Sequence, residues 1–239
     1  MLQHLALFVV TAIIYLVGSR DNQLTLDDAH TILRNPIIQS KSFPSIDRLL
    51  TTDYWGTPLT DSHSHQSFRP ITTFTFYLDA GGDPSSSKSI HNLHRTNIFI
   101  HSCVVMVVVV LLTRLGIQKQ NALLGSLFFA IHPIVTESVA NVTGRAELLA
   151  AFFGISYYLL ATTTFASFTT STSISLSTLI SLSSPCALLA TFSKEVGFAS
   201  TIIVIFHFSI IQPSLKGTVL ATVVSMLVGA LRLHFLHGR

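Results

Sequence analysis

The sequence predicts an all-α membrane protein, and its composition carries that prediction. The 239 residues include only 14 Lys and Arg and 11 Asp and Glu, which makes 10% of the chain charged. Ordinary soluble domains are about 25% charged. The mean hydropathy is +0.59, so a soluble globule could not cover its surface with these residues, and we expect apolar segments in lipid. The net charge of +3 is small and scattered, which gives no reason to expect nucleic-acid binding.

Apolar segments that approach the roughly 20 residues of a transmembrane helix recur along the chain. We expect about seven spans: 2–18, 97–112, 122–139, 148–166, 174–192, 198–211 and 218–233. The first span has no basic n-region and no small-residue cleavage site, so we interpret it as a retained signal anchor rather than a cleaved signal peptide. His132-Pro133 interrupts the third span. A Ser/Thr-rich tract at 162–184 blurs the junction of the fourth and fifth spans, although hydroxyls can bond back to helix carbonyls.

Charge is concentrated between the first and second spans. Residues 19–93 hold eight of the eleven acidic residues and six basic ones. We therefore expect a signal-anchor span at 1–18, a large polar loop at 19–93 and six further transmembrane helices at 94–239. Seven spans place the two termini on opposite sides of the membrane. Lys and Arg occur in the short loops of both sides, so the positive-inside rule does not decide the orientation.

An adjacent acidic pair, Asp27-Asp28, follows the first span by nine residues. Two carboxylates close to each other and to a low dielectric suit general-base catalysis, because both effects raise at least one pKa toward the working range. The alternative is a solvated loop, or an N-cap in which Asp28 begins a short helix through Ile32. The dipeptide alone does not decide between these interpretations.

Basic and histidine side chains give further candidates. Arg69, between an aromatic residue and a proline, suits the binding of phosphate or carboxylate. Lys194 separates two apolar spans and is either a point charge for a lipid phosphate or an interfacial anchor. The pair His63-x-His65 resembles a metal-binding spacing, but no further Cys or His pair completes a site. We therefore expect no metal site.

Ionisable residues within the spans are costly and so suggest function. Four of them cluster at the turn between the third and fourth spans: His132, Glu137, Arg145 and Glu147. The alternative role for this cluster is a structural ion pair across the hairpin. His94 and His101 are seven residues apart and share one helical face, where we expect a buried stripe of hydrogen-bonding side chains.

Several short motifs occur in a fixed order along the chain. They are Leu26-Asp27-Asp28, Asp53-Tyr54-Trp55-Gly56, the segment 64–73 (SHQSFRPITT), His94-x-x-Asn97-x-x-x-His101, His132-Pro133-Ile134-x-x-Glu137, Gly144-Arg145-Ala146-Glu147 and Ser193-Lys194-Glu195. Together these motifs resemble the transmembrane and tetratricopeptide-repeat (TMTC) proteins, which are protein O-mannosyltransferases of the endoplasmic reticulum with the GT-C membrane fold. The resemblance extends from about residue 26 to residue 197.

This resemblance implies a GT-C-type helix bundle in the endoplasmic reticulum membrane, with the large first loop in the lumen. It implies transfer of mannose from dolichyl-phosphate-mannose to Ser or Thr of a secretory-pathway protein, with inversion and without a cofactor or metal. The partners of such an enzyme are the lipid donor, the acceptor protein and membrane lipid. The catalytic acids fall on Asp27 and Asp28, of which we prefer Asp27 as the base. Donor-phosphate binding falls on Arg69, Arg145 and Lys194, and supporting polar roles fall on His65, His94, His132, Glu137 and Glu147.

The chain departs from the family pattern at its C-terminal end. TMTC proteins are expected to continue into further spans and helical repeats of about 34 residues, and no such period occurs here. We expect a fragment or a truncated form, whose activity alone is open. Two other functions stay open: a transporter or channel with a His and Glu proton relay, although we find no inverted repeat, and a membrane scaffold without catalytic activity.

Overall fold

A computed structural model describes residues 2–18, 23–25, 27–170 and 176–237. The described residues are mainly helical, and the β-structure among them is one isolated bridge between Thr52 and Pro58. The all-α prediction is therefore confirmed. The helices are α1 Leu2–Gly18, α2 Ile46–Thr51, α3 Pro70–Ala80, α4 Ser87–Arg114, α5 Lys119–Ile131, α6 Pro133–Ala140, α7 Arg145–Thr170, α8 Leu176–Ser193, α9 Ala199–Phe206 and α10 Leu215–His237. The chain divides into two compact units, residues 1–149 and 150–239.

Three helical segments of the described chain are long and apolar enough to cross a membrane. They are α4, residues Val142–Phe165 and α10. A fourth span arises if α5 and α6, bent by 59° at their junction, count together. Helix α1 and the segment Glu195–Ile211 are apolar but shorter. The chain is a membrane protein, whereas the number of seven spans stays a prediction.

Within the polar segment expected at 19–93, the described residues include helices and a buried core. It contains α2 and α3, and α4 begins at Ser87, well before the predicted start of the second span at residue 97. Ser86 caps this helix, because its hydroxyl accepts the backbone N–H of Ser89. A core of buried side chains lies beneath the segment: Ile32, Ile38, Tyr54, Phe76, Ala80, Leu93 and Val142. Burial of this core explains why the helix extends beyond the apolar run.

The predicted interruption at His132-Pro133 is confirmed as the break between α5 and α6. His132 adopts an extended conformation (ψ 131°), as expected for a residue before proline, and its Nδ1 accepts the backbone N–H of Ile134 at 3.2 Å. The carbonyl of Ala130 is thereby released from the helix ladder. It accepts hydrogen bonds from the Tyr15 hydroxyl at 2.9 Å and from His101 Nε2 at 3.1 Å. The carbonyl that the break frees therefore connects α5 to α1 and α4 by hydrogen bonds.

The second unit contains residues 150–170 of α7 together with α8, α9 and α10. Its core is formed by Tyr157, Ala161, Phe165, Ala187, Val204, Phe208, Ala221, Val224 and Val228. The Tyr158 hydroxyl and His207 Nδ1 are 3.0 Å apart. Helix α7 runs to Thr170, past the predicted end of the fourth span at residue 166. The predicted start of the fifth span, at residue 174, lies outside the described residues.

Candidate functional site

Asp28 is a fully buried acid whose carboxylate joins two distant parts of the first unit. Its Oδ1 accepts the backbone N–H of Thr143 at 2.9 Å. Its Oδ2 accepts the N–H groups of Thr25 at 3.2 Å and Val142 at 3.4 Å. Buried carboxylates need such donors, because an uncompensated charge away from water is costly. The local chain begins a short π-helical turn at Ala29, and the expected side-chain N-cap is not formed.

Asp27 differs from its neighbour because its side chain is exposed. Its backbone carbonyl accepts the N–H of Thr31 at 2.9 Å, which fixes the backbone of the acid pair. The pair is therefore divided into a carboxylate held by backbone amides and a carboxylate that faces outward. Only the outward one is accessible to another molecule.

Asn97 ties the helix α4 to the turn that binds Asp28. Its Nδ2 donates to the carbonyls of Val139, Asn141 and Val142 at 3.4, 3.0 and 3.2 Å. Its Oδ1 accepts from Arg145 Nε at 2.8 Å. One buried amide thus positions the same turn whose N–H groups hold the Asp28 carboxylate.

Arg145 is fully buried, and its guanidinium is surrounded by protein groups. Nη2 donates to the Leu93 carbonyl at 2.7 Å and lies 2.6 Å from Asp79 Oδ2. Nη1 donates to the Thr75 hydroxyl at 3.3 Å. The guanidinium carbon lies 4.6 Å from the centre of the Phe76 ring, a cation–π distance. These contacts connect the start of α7 to α3 and α4.

The sequence left open a structural ion pair across the hairpin between the third and fourth predicted spans. Arg145 instead forms its ion pair outside that hairpin. Its salt bridge is with Asp79 of α3, and its guanidinium also donates hydrogen bonds to groups of α3 and α4. The donor-binding role predicted for Arg145 would require these buried contacts to be exchanged for a phosphate.

Arg69 lies over the ring of Tyr54. The Arg69 guanidinium carbon is 4.8 Å from the ring centre, and the Arg69 side chain is half-buried. The Tyr54 hydroxyl donates to the Thr143 carbonyl at 3.0 Å, so this ring also supports the Asp28 turn. Burial raises the pKa of Tyr54 above its usual range, although the positive charges of Arg69 and Arg145 act in the opposite direction. The phenol therefore stays protonated at neutral pH.

A half-open cavity of about 720 Å³ lies beside this network within the first unit. Its lining comes from α1, α4, α5, α6 and the chain before Asp28, and it includes His94 and Glu137. His94 is 4% exposed and Glu137 is exposed. His94 and His101 are both buried, as their shared helical face predicted.

The other predicted site residues lie in separate places. The exposed His65 ring is 5.7 Å from the Trp55 ring, and exposed His132 caps α6. Glu147 is in the first turn of α7. Lys194 belongs to the second unit, where it precedes the short helix Glu195–Phe198. Within the described ranges, no group of three potential ligands could hold a metal ion.

Sequence reasoning missed two contributors to this site. Asp79 was not among the predicted residues, although a single acid in the otherwise uncharged helix 70–80 was a usable signal. The backbone N–H groups of Val142 and Thr143 left no sequence signal, because any residue except proline supplies such a donor.

Curated relatives resemble more than half of this chain. Protein O-mannosyl-transferase F38B6.6 of Caenorhabditis elegans is 33% identical over 166 residues, which cover 66% of this chain and 23% of the relative. Protein O-mannosyl-transferase TMTC3 of Mus musculus is 37% identical over 136 residues, which cover 57% of this chain and 14% of the relative. Protein O-mannosyl-transferase TMTC4 of Homo sapiens is 33% identical over 165 residues, 62% of this chain and 21% of the relative.

These similarities confirm the resemblance to the TMTC family. The matches span less than a quarter of the length of these relatives. No family model matches the chain, and no solved structure matches it.

Proposed function

We propose that this chain, a relative of the TMTC protein O-mannosyl-transferases, supplies the acid pair and donor-binding residues of a mannosyltransferase. The donor is dolichyl-phosphate-mannose, the acceptor is a Ser or Thr hydroxyl of a secretory-pathway protein, and the location is the endoplasmic reticulum membrane. The observation that carries the proposal is the division of the acid pair, in which Asp28 is held by three backbone N–H groups while Asp27 faces outward.

Asp27 is the general base in this proposal. Its carboxylate takes the proton of the acceptor hydroxyl while the hydroxyl oxygen attacks the anomeric carbon of mannose. The bond between that carbon and the phosphate oxygen breaks, and its electron pair leaves with dolichyl phosphate. Attack opposite the leaving group inverts the configuration. Asp28 positions its neighbour through the buried hydrogen bonds and takes no proton.

Arg69 is the donor-phosphate ligand that the surroundings favour. Negative charge develops on the leaving phosphate, and a fixed cation beside it lowers the barrier. The half-buried Arg69 is accessible from outside and is oriented by the Tyr54 ring. Arg145 keeps a positioning role in this proposal, because its guanidinium is occupied by Asp79, Leu93 and Asn97. Lys194 stays a predicted phosphate ligand.

Mannose transfer in microsomes tests this function. Microsomes that contain the chain receive dolichyl-phosphate-mannose and a Ser/Thr-bearing acceptor peptide, and labelled peptide is measured. Loss of a general base costs about 10²–10⁴-fold in rate, so we expect Asp27→Asn to lower transfer by at least about 100-fold. Asp61→Asn, an exposed acid of the same segment, is the matched control and should keep the wild-type rate.

The two possible failures are distinct. Full transfer by Asp27→Asn would refute the assignment of the base while leaving the transferase function intact. Absence of transfer by the wild-type chain, in microsomes where a full-length TMTC relative is active, would refute the function for this chain.

A further inference from the structure

Gln66 has a backbone conformation that the surrounding chain must hold in place. Among the described residues other than glycine, it alone has a positive φ, at +53°. In this left-handed region Cβ lies close to the following carbonyl oxygen, so a residue with a long side chain rarely adopts it. The Gln66 side chain is exposed, so its burial does not explain the conformation. Backbone strain of this kind persists only where neighbouring structure determines it, and it is concentrated at functional sites.

The buried carboxylate of Asp53 holds the strained residue through one serine. Asp53 is 1% exposed, and its Oδ1 accepts the backbone N–H groups of Trp55 and Thr57, each at 2.9 Å. Its Oδ2 accepts the Ser64 hydroxyl at 2.7 Å. Ser64 Oγ in turn accepts the backbone N–H of Gln66 at 3.1 Å. The conformation of Gln66 is therefore tied to the turn at residues 53–57.

The turn at Gln66 sets the direction in which the chain reaches Arg69. The backbone N–H of Phe68 donates to the Gln66 carbonyl at 3.0 Å, and the Phe68 side chain is fully buried. Arg69 follows and directly precedes Pro70, the first residue of α3. Arg69 is thus held between a strained turn and the start of a helix, with its guanidinium carbon 4.8 Å from the centre of the Tyr54 ring.

We propose that Gln66 is a positioning residue for Arg69. Its left-handed backbone, held by Asp53 through Ser64, places the Arg69 guanidinium over the Tyr54 ring, where it meets the donor phosphate. The backbone of Gln66 performs this role, and its side chain is dispensable. The inference rests on the proposed function, because that function makes Arg69 the phosphate ligand.

Three substitutions of Gln66 separate its backbone from its side chain. Glycine adopts the left-handed region freely, asparagine tolerates it, and valine disfavours it strongly because it is β-branched. We therefore expect Gln66→Val to displace Arg69, and Gln66→Gly and Gln66→Asn to leave it in place. Ser62→Val, at a nearby exposed position where φ is not positive, is the matched control. Ser64→Ala disturbs the same turn without changing Gln66, which gives a second variant if Gln66→Val does not fold.

The reactivity of Arg69 with phenylglyoxal measures its placement without any substrate. The full chain in liposomes is labelled briefly, and peptide mass spectrometry compares Arg69 with the exposed Arg48 of the same molecule. Half-buried Arg69 should react faster once it leaves the Tyr54 ring. We expect the ratio of Arg69 to Arg48 labelling to rise about twofold to fivefold in Gln66→Val and Ser64→Ala, the population shift that one cation–π contact gives. Gln66→Gly, Gln66→Asn and Ser62→Val should keep the wild-type ratio.

Mannose transfer in microsomes shows whether this placement serves the donor. A misplacement of about 1 Å can cost roughly 10²-fold in rate, so we expect Gln66→Val to lower transfer by about tenfold to 100-fold. The KM for dolichyl-phosphate-mannose should rise while the KM for the acceptor peptide stays unchanged, because only the donor carries the phosphate. A smaller folded fraction would instead lower the rate without changing either KM.

A double variant tests whether Gln66 acts through Arg69. Arg69→Met removes the guanidinium, so the placement that Gln66 provides has nothing left to act on. In that background Gln66→Val should change transfer by less than about twofold, whereas independent effects would add. An undiminished effect of Gln66→Val in the Arg69→Met background would give Gln66 a role apart from Arg69 and refute the inference.

Several other results would contradict this role of Gln66. Unchanged Arg69 labelling in both Gln66→Val and Ser64→Ala would show that the turn does not place Arg69. Equal loss of transfer in Gln66→Gly, Gln66→Asn and Gln66→Val would assign the role to the side chain. Raised Arg69 labelling with a wild-type donor KM would show that the placement does not serve the phosphate. Absence of transfer by the wild-type chain would refute the proposed function, and the labelling ratio would still decide whether Gln66 positions Arg69.

Discussion

The carboxylate of Asp28 and the backbone amide of Thr143 are joined at 2.9 Å, although 115 residues separate them in the sequence. This bond connects the acid pair to the turn between α6 and α7. Asn97, Tyr54 and Arg145 support the same turn from α4, from the polar segment and from α7. The orientation of the acid pair is therefore set by residues from four parts of the first unit.

The two acids should differ in their contribution to stability. In Asp28→Asn one acceptor oxygen becomes an amino group that faces buried N–H donors, and an unsatisfied buried donor costs about 1–3 kcal/mol. Asp27→Asn changes an exposed side chain, where effects stay within about 0.5 kcal/mol. Thermal unfolding of both variants in the same detergent checks this. Equal unfolding temperatures would contradict the structural role of Asp28.

Arg145 and Asp79 should behave as a coupled pair. Arg145→Met leaves the Asp79 carboxylate without its cation, and breaking a buried pair costs about 3–5 kcal/mol. Adding Asp79→Leu removes the uncompensated charge, so we expect the double variant to recover a large part of the loss. Urea unfolding of the two single variants and the double variant measures the coupling. Additive effects would show that the two groups do not interact.

Tyr54→Phe should remove one hydrogen bond. It should also remove the dependence of folding stability on alkaline pH that the phenol causes. Loss of the bond to Thr143 costs about 0.5–1.5 kcal/mol. Burial raises the folded-state pKa of Tyr54 above its ordinary value of 10.0, so its contribution to stability is complete below that value and is lost as the pH rises above it. The stability difference between wild type and Tyr54→Phe should shrink above pH 10. A constant difference from pH 8 to pH 11 would contradict this.

Gly144 should be intolerant of any side chain. A Cβ at this position would lie 2.5 Å from the Ser138 carbonyl oxygen, so the turn that holds Asp28 must shift, and overpacking of this kind costs about 1–3 kcal/mol. Gly125→Ala is the control, since its nearest contact would be 3.5 Å from Leu112 Cδ1 and alanine favours a helix by about 0.5–1 kcal/mol. We expect Gly144→Ala to lower both unfolding temperature and mannose transfer. A wild-type result would show that the turn can move freely.

The parts of the fold that depend on local chemistry could be predicted from the sequence. The break at His132-Pro133 follows from the proline itself, and the apolar runs indicated the helices. The start of α4 at Ser87 could not be predicted in the same way, because its polar first turns lie outside the apolar run and Leu93 packs into a core with residues distant in the sequence. Tertiary packing here overrides a weak local preference.

The sequence predicts which residue types form the candidate site. It does not predict which acid of the pair is buried and which is exposed. The dipeptide Asp27-Asp28 gave no reason for one carboxylate to be buried and the other exposed, because the distinction comes from amides more than 100 residues away. The sequence predicts for Arg145 either a donor-phosphate role or an ion pair within the hairpin, whereas its partner Asp79 lies 66 residues earlier in the sequence, on another helix. Pairings at such separations depend on the three-dimensional arrangement of helices.

The carbonyl of Ala130, freed by the break before Pro133, has a geometric consequence for the acid pair. Because it accepts the Tyr15 hydroxyl, α1 cannot slide along α5 by even one residue's rise of about 1.5 Å without losing that bond. Asp27 follows the end of α1 by nine residues. A bond between one tyrosine hydroxyl and one freed carbonyl thus fixes the position along α5 of the helix that precedes the proposed base.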